Sequence, residues 1–145
     1  MRRAIAAGAR LLLGGKVNTE LGGLYYQPTL LADAPPGSEI LTEEVFGPVL
    51  TVQTFSGEDE AVALANNTSY GLAATMFTGD EAKAERVSAR LRAGTVWINC
   101  FFVRDLRAPF GGAGLSGIGR EGGTWSFDFY SDVKNTVYAA QGWVR

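Results

Sequence analysis

Short apolar runs broken by glycine, proline and acidic residues set the rhythm of this chain. RRAIAAGA at 2–9 favours a helix, with Gly8 marking its end, and LLL at 11–13 predicts a short buried strand closed by Gly14-Gly15. YYQPTLL at 25–31 is extended, and Pro28 places it at a sheet edge or in a bulge. Pro35-Pro36-Gly37 predicts a turn. VLTVQTF at 49–55 alternates as a strand does. Ser56 then precedes Glu58-Asp59-Glu60, acids suited to the positive end of a helix, which runs to about Ala65 and stops at Asn66-Asn67.

The second half repeats the alternation. LAATMFT at 72–78 predicts a strand, and Asp80 caps a helix over EAKAERVSARLRA that Gly94 stops. Ala84, Val87 and Leu91 recur at spacings of three and four, so one face of that helix is buried. TVWIN at 95–99 is a β-branched and aromatic strand, WSFDFY at 125–130 a short helical turn, and VKNTVYA at 133–139 a final strand. Strand–helix–strand order predicts an α/β fold with a parallel sheet and crossover helices. The last strand follows a long irregular segment and has no helix after it. It pairs either at the edge of its own sheet or on another subunit, and the pattern leaves both open.

Residues 111–123, GGAGLSGIGREGG, hold two overlapping copies of G-x-G-x-x-G. A dinucleotide fingerprint needs a strand running into the glycines, a long helix starting among them and an acid after a second strand. Here RDLRAPF separates the loop from TVWIN, and only a helical turn follows. The loop is therefore expected to be a tightly packed connection rather than a phosphate cradle.

Composition narrows the chemistry. The 145 residues are 46% hydrophobic and 19% charged, with a net charge of −2 and no basic stripe, which argues against a nucleic-acid partner. No apolar run approaches ~18 residues, so no membrane-spanning helix is expected. MRRAIAAGARLLLGGK is broken by Gly8 and Arg10 and does not suit a signal peptide, so the cytoplasm is the expected location. One cysteine and no histidine exclude an internal disulfide, a zinc centre built from this chain and a histidine-dependent triad. Cys100 follows TVWIN and precedes Phe101-Phe102, with no cation-rich helix start nearby. It reads as a small, partly buried thiol rather than a nucleophile.

Six motifs carry a resemblance. YYQPTLL (25–31), TEEVFGPVL (42–50), ANNTSYGLAATMFT (65–78), AGTVWINC (93–100), APFGGAGLSGIGRE (108–121) and YSDVKNT (130–136), in this order, resemble the C-terminal part of an aldehyde dehydrogenase. VRDLRAPFGG, with GREGGTWSFDFYSDVKN after it, is similar to the subgroup acting on muconic-type semialdehydes. The resemblance implies part of a catalytic domain over residues 1–124 and an oligomerisation segment and tail over 125–145. It implies NAD- or NADP-dependent oxidation of a carboxylate-bearing semialdehyde to the acid. In that reaction a cysteine thiolate attacks the aldehyde, hydride leaves for the nicotinamide, and a glutamate activates water to release the product. The family's nucleophile, in a glycine-Gln-Cys context, its general base and its nucleotide-binding glycines lie upstream of these motifs, and none occurs in residues 1–145.

The resemblance also assigns roles. Glu44 is implied to accept hydrogen bonds from ribose hydroxyls of the cofactor, a carboxylate being acceptor-only, and Phe46 to wall the nicotinamide. Without it, Glu43-Glu44 reads as a solvated pair and Phe46 as core. Arg104 first and Arg107 second are implied to bind the substrate's remote carboxylate, beside Phe102 and Phe110 of the substrate tunnel. Either arginine could instead pair with Asp105 or another acid. Arg120 and Glu121 are expected as structural ion-pair partners, and residues 133–139 as a strand that joins copies into a homo-oligomer.

The chain starts inside what the family has as its catalytic domain, so a fragment that is inactive alone is expected, with Met1 as a candidate internal start codon. A reading from another class stands beside it: a non-catalytic module that pairs through 133–139 with full-length subunits.

Overall fold

The computed structural model of the chain describes residues 1–143; Val144 and Arg145, the end of the expected tail, lie outside the described residues. Helix α1 (Arg2–Ala6) ends where Gly8 turns to a φ of +111°, and β1 (Arg10–Leu13) follows. Next come β2 (Thr29–Ala32), α2 (Glu39–Thr42) and β3 (Val49–Val52). The second half contributes α3 (Glu58–Ala65), β4 (Ala73–Met76), α4 (Glu81–Ser88), β5 (Thr95–Ile98), a 3-10 turn at Gly114–Ser116 and α5 (Trp125–Tyr130).

Two small sheets carry the fold. β2 lies between β1, antiparallel, and β3, parallel, with Thr29 opposite Val49 and Ala32 opposite Val52. β4 pairs with β5 in parallel, Ala73 opposite Thr95 and Met76 opposite Ile98. Each parallel pair is joined through a helix, as its direction requires. Pro28 stands just before β2, so the central strand keeps every donor it needs, and the edge position expected from that proline belongs to β1.

The core is slight. Ala4, Ala9, Leu31 and Ala34 form its buried centre, with Ile40, Leu41 and Val49 packed around it. Leu31, fully buried, contributes about 1.5–3 kcal/mol by leaving water. Thr29 is 4% exposed and is fully used: its Oγ1 accepts from the Gly15 amide and donates to the Gln27 carbonyl, both at 2.8 Å.

Local signals set α4. The Asp80 carboxylate accepts from the Lys83 amide at 3.0 Å, and Ala84 and Val87 are buried. The helix ends at Ser88, ahead of the expected stop at Gly94. Arg86 reaches Glu58 of α3 through bonds of 2.9 and 2.8 Å, an exposed ion pair that links the two helices.

Two expectations are corrected. The 11–13 run is exposed rather than buried: β1 is an edge strand that pairs with β2 alone, and its side chains stay open to solvent among the described residues. Residues 133–139 form no strand; they are exposed throughout and pair with nothing among the described residues, and an edge backbone without a partner has no ladder to join. Helix α2, too short to show a period, was not foreseen. No described helix is long and apolar enough to cross a membrane.

Candidate functional site

The glycine loop is built against its own chain. Ala113 donates to the Gly71 carbonyl at 3.0 Å, Leu115 to Ser69 at 2.9 Å, and the Ser116 hydroxyl accepts from the Gly71 amide at 3.0 Å. These bonds pin the loop to the segment that leads into β4. Its far end folds back: Phe110 and Glu121 exchange both backbone hydrogen bonds at 2.8 Å, and the Gly123 amide donates to Leu106 at 2.9 Å. At Gly122, φ is +95° and a Cβ would collide with the Ala108 carbonyl, so close backbone approach accounts for that glycine.

The Phe110–Glu121 bridge organises a charged cluster. Residues directly opposite in an antiparallel pair present their side chains on one face. Arg104 reaches across both: its guanidinium carbon lies 4.0 Å from the Phe110 ring centroid, and its Nη2 is 3.3 Å from Glu121 Oε1. A cation over a ring contributes about 0.5–1 kcal/mol at such a partly exposed place. The Arg104 side chain is 28% exposed. One of its five N–H donors has a partner among the described residues, which leaves four for another acceptor.

Arg107 is placed differently. Its Nε and Nη2 hold Asp105 at 3.0 and 2.7 Å, and its amide donates to the same carboxylate at 2.9 Å. The Arg107 guanidinium holds the Asp105 carboxyl below the usual aspartate range. Both arginines thus have acidic neighbours, but only Arg107 spends its fork on one.

Phe102 belongs to another cluster. Its ring centroid is 6.0 Å from that of Trp97, whose indole also meets Phe101 edge-on at 5.8 Å. Trp97 Nε1 donates to the Val103 carbonyl at 2.7 Å, which anchors the loop beyond β5. Asn99 ties the same strand end to β4: its side chain accepts from the Thr78 amide at 2.8 Å and donates to the Thr78 carbonyl at 2.7 Å. Cys100, beside it, is a free, half-buried thiol.

Glu44 and Phe46 lie between α2 and β3. Glu44 lines a cleft of about 630 Å³ with Ser38, Glu43 and Val45 on one side and Arg2 and Arg3 on the other. Within that lining Arg3 pairs with Glu39, with Nε 2.8 Å from Oε2, and it holds the Glu39 carboxyl below the usual glutamate range. The Glu44 carboxylate makes no hydrogen bond among the described residues, and the Phe46 ring is 92% exposed. Phe46 and Phe102 take φ values of +51° and +56°. The left-handed region costs a non-glycine residue roughly 1–2 kcal/mol, so two of the sequence candidates sit on strained backbone. The donor-seeking carboxylate and the bare ring suit a ribose diol and a flat aromatic base. No hydrogen bond or ion pair joins this pair to the Arg104 cluster among the described residues.

Of the two residues expected in structural ion pairs, Glu121 has one, with Arg104, and Arg120 has none among the described residues. Arg120 donates to the backbone carbonyls of Gly112 and Gly119 at 2.7 and 2.6 Å. Its charge serves the glycine loop, and Glu121 turns to Arg104 instead. Only the backbone bridge decides which arginine meets the acid, and no local pattern announces it. No group of three or more His, Cys, Asp or Glu able to hold a metal ion occurs among the described residues.

The model of the aldehyde dehydrogenase family matches residues 1–136. The chain is 47% identical over 138 residues to a 2-hydroxymuconic semialdehyde dehydrogenase of Pseudomonas sp. (strain CF600), covering 92% of this chain and 28% of that one. It is 46% identical over 142 residues to a betaine aldehyde dehydrogenase of Cereibacter sphaeroides, covering 98% and 29%. Among solved structures, betaine aldehyde dehydrogenase from Staphylococcus aureus in complex with NAD+ superposes with a TM-score of 0.84 at 44% identity, covering 89% of this chain and 26% of that one. The chain thus spans less than a third of the length of the relatives it matches.

Proposed function

The chain belongs to the aldehyde dehydrogenase family, and from that premise we propose that it forms the cofactor-edge and substrate-wall part of an enzyme oxidising a carboxylate-bearing semialdehyde to the acid. Muconic-type semialdehydes are the substrate class, as for the 2-hydroxymuconic and 2-aminomuconic relatives, with 5-carboxymethyl-2-hydroxymuconate semialdehyde as the first choice. The observation that carries this reading is Arg104. It is held in place yet keeps four donors without a partner among the described residues, and a guanidinium fork recognises a carboxylate better than any neutral wall does. Betaine aldehyde, the substrate named for other relatives, is a cation that such a wall would repel.

Glu44 accepts from the cofactor's ribose hydroxyls, and the exposed Phe46 ring limits where the nicotinamide can lie. The nicotinamide cofactor, NAD or NADP, supplies the hydride acceptor. Phe110, under Arg104, walls the substrate's carbon chain from water, and Phe102, packed with Trp97, stands outside that wall. The nucleophile and the general base come from sequence outside residues 1–145, so the polypeptide of these residues alone forms no NADH.

A second feature supports assembly. Residues 131–143 are exposed along their length, including Val133, Val137 and Tyr138, and that leaves them accessible to another copy of the chain. Pairing there makes a homo-oligomer, and without catalysis it would make a module that joins full-length subunits; size-exclusion chromatography of the 145-residue chain separates a discrete species from aggregation.

The test of substrate class uses a family enzyme in which residues 1–145 replace the segment they match. NADH formation with a muconic-type semialdehyde at a kcat/KM at least about tenfold above that for an uncharged aldehyde of equal length is expected. Equal values contradict the reading.

A further inference from the structure

We propose that Glu121 is the positioning residue of Arg104, holding its guanidinium over the Phe110 ring so that the remaining donors face the substrate's carboxylate. This rests on the reading of Arg104 given above and assigns how that residue is kept ready.

The long Arg104 side chain has several rotatable bonds and leaves the loop beyond β5, where residues 101–105 are exposed. Left free, it would scatter over many rotamers, and binding would carry the cost of ordering it. Two contacts remove that freedom. The ring of Phe110 supports the guanidinium carbon at 4.0 Å, and Glu121 Oε1 meets Nη2 at 3.3 Å.

The holding pair is itself fixed by backbone. Glu121 is 17 residues from Arg104 in sequence, but its reciprocal 2.8 Å bonds with Phe110 put the carboxylate and the ring side by side. The frame continues through the Gly123 bond to Leu106 and the Ser126 hydroxyl, which accepts from the Gly122 amide at 2.8 Å. Arg107 shows the contrast: its two-nitrogen grip on Asp105 is local and fills its fork.

A carboxylate beside an anion site might be expected to compete with the ligand. The length of the contact argues against that here. A charge-assisted bond at full strength is about 2.7–2.9 Å, and this one is a single contact at 3.3 Å. Glu121 restrains one nitrogen, and Nε and Nη1 have no partner among the described residues.

The experiment is arginine side-chain NMR on the full 145-residue chain, with adipate as a six-carbon dicarboxylate probe. The Phe110 ring current should move the Arg104 side-chain signals upfield of those of the exposed arginines, and Phe110→Leu identifies that shift by abolishing it. Adipate should then perturb the Arg104 Nε–H signal saturably. In Glu121→Met, which keeps the length and removes the acceptor, the upfield shift should collapse and the adipate affinity fall about fivefold or more. Glu121→Gln, which restores the acceptor oxygen, should recover both. Glu121→Ala replaces the Met variant if the amide spectrum shows that the latter has not folded. An unchanged shift and affinity without the acceptor overturn the positioning role alone, as does a Gln variant as poor as the Met variant. No response of Arg104 to adipate in the unsubstituted chain overturns the substrate reading, and this inference with it.

Discussion

Phe110 and Glu121 face each other across two backbone hydrogen bonds of 2.8 Å, and the Arg104 guanidinium rests over the one and against the other. The bridge turns a loop into a frame. It brings together an aromatic wall, an acid and a cation from two segments that the glycine-rich stretch separates. The glycines of that stretch matter here because backbone must pass close to backbone where the segments return.

Gly122→Ala tests the frame. A methyl group there meets the Ala108 carbonyl on a backbone already at positive φ. The substitution is expected to cost about 2 kcal/mol or more, read as a lowered urea midpoint. Gly79→Ala, with open space around it, should stay within about 0.5 kcal/mol.

Thr29→Val is nearly isosteric and removes a hydroxyl that both accepts and donates inside the β1–β2 contact. It leaves the Gly15 amide and the Gln27 carbonyl without that partner. A loss of about 1–3 kcal/mol in unfolding free energy is expected, and a change below about 0.5 kcal/mol would mean that water replaces the hydroxyl.

Acid should weaken the fold in a defined window. Glu39, Glu58 and Asp105 are held below their ordinary range by Arg3, Arg86 and Arg107 in turn. A depressed carboxyl contributes stability that is present above its unfolded value, near 4, and is lost as pH falls through its folded value. Unfolding midpoints should therefore be flat from pH 7 to about 5 and fall below about 4, with the fall reduced in Glu58→Gln and in high salt. A midpoint that rises on acidification contradicts these pairs.

Much of the local structure was legible because its causes are local. Asp80 caps α4 through the Lys83 amide, and the Pro35-Pro36-Gly37 turn closes with the Ser38 amide on the Pro35 carbonyl at 3.1 Å. An alternating run marked β3, and apolar, β-branched and aromatic runs marked β4 and β5. Burial was not legible for β1, since an apolar run shows that a strand wants a partner and not whether one lies against it. The same holds for residues 133–139, where the sequence suggested a strand and the chain gives it no partner among the described residues. Of the site, the arginines, aromatics and acids could be named from their motifs. The local pair of Arg107 with Asp105 was among the readings the motif offered, whereas the pair of Arg104 with Glu121 depends on a bridge between residues far apart in sequence, and Arg120, adjacent to Glu121, looked as suitable as Arg104.

Assembly through the exposed C-terminal segment has its own readout. Light scattering of the full chain should give a mass above that of the 15.5 kDa monomer. Val137→Asp, which puts a charge on an exposed apolar position of that segment, should shift the mass toward the monomer. An unchanged mass would move the contact elsewhere.

The account turns on Arg104 as the reader of a carboxylate, and one comparison tests it most directly. In a family enzyme carrying residues 1–145, kcat/KM is measured for a muconic-type semialdehyde and for an uncharged aldehyde of equal length, with and without Arg104→Ala. The account predicts that the substitution lowers the ratio of the two by about tenfold or more, mainly through KM, while the uncharged substrate changes little. A ratio that stays the same contradicts it.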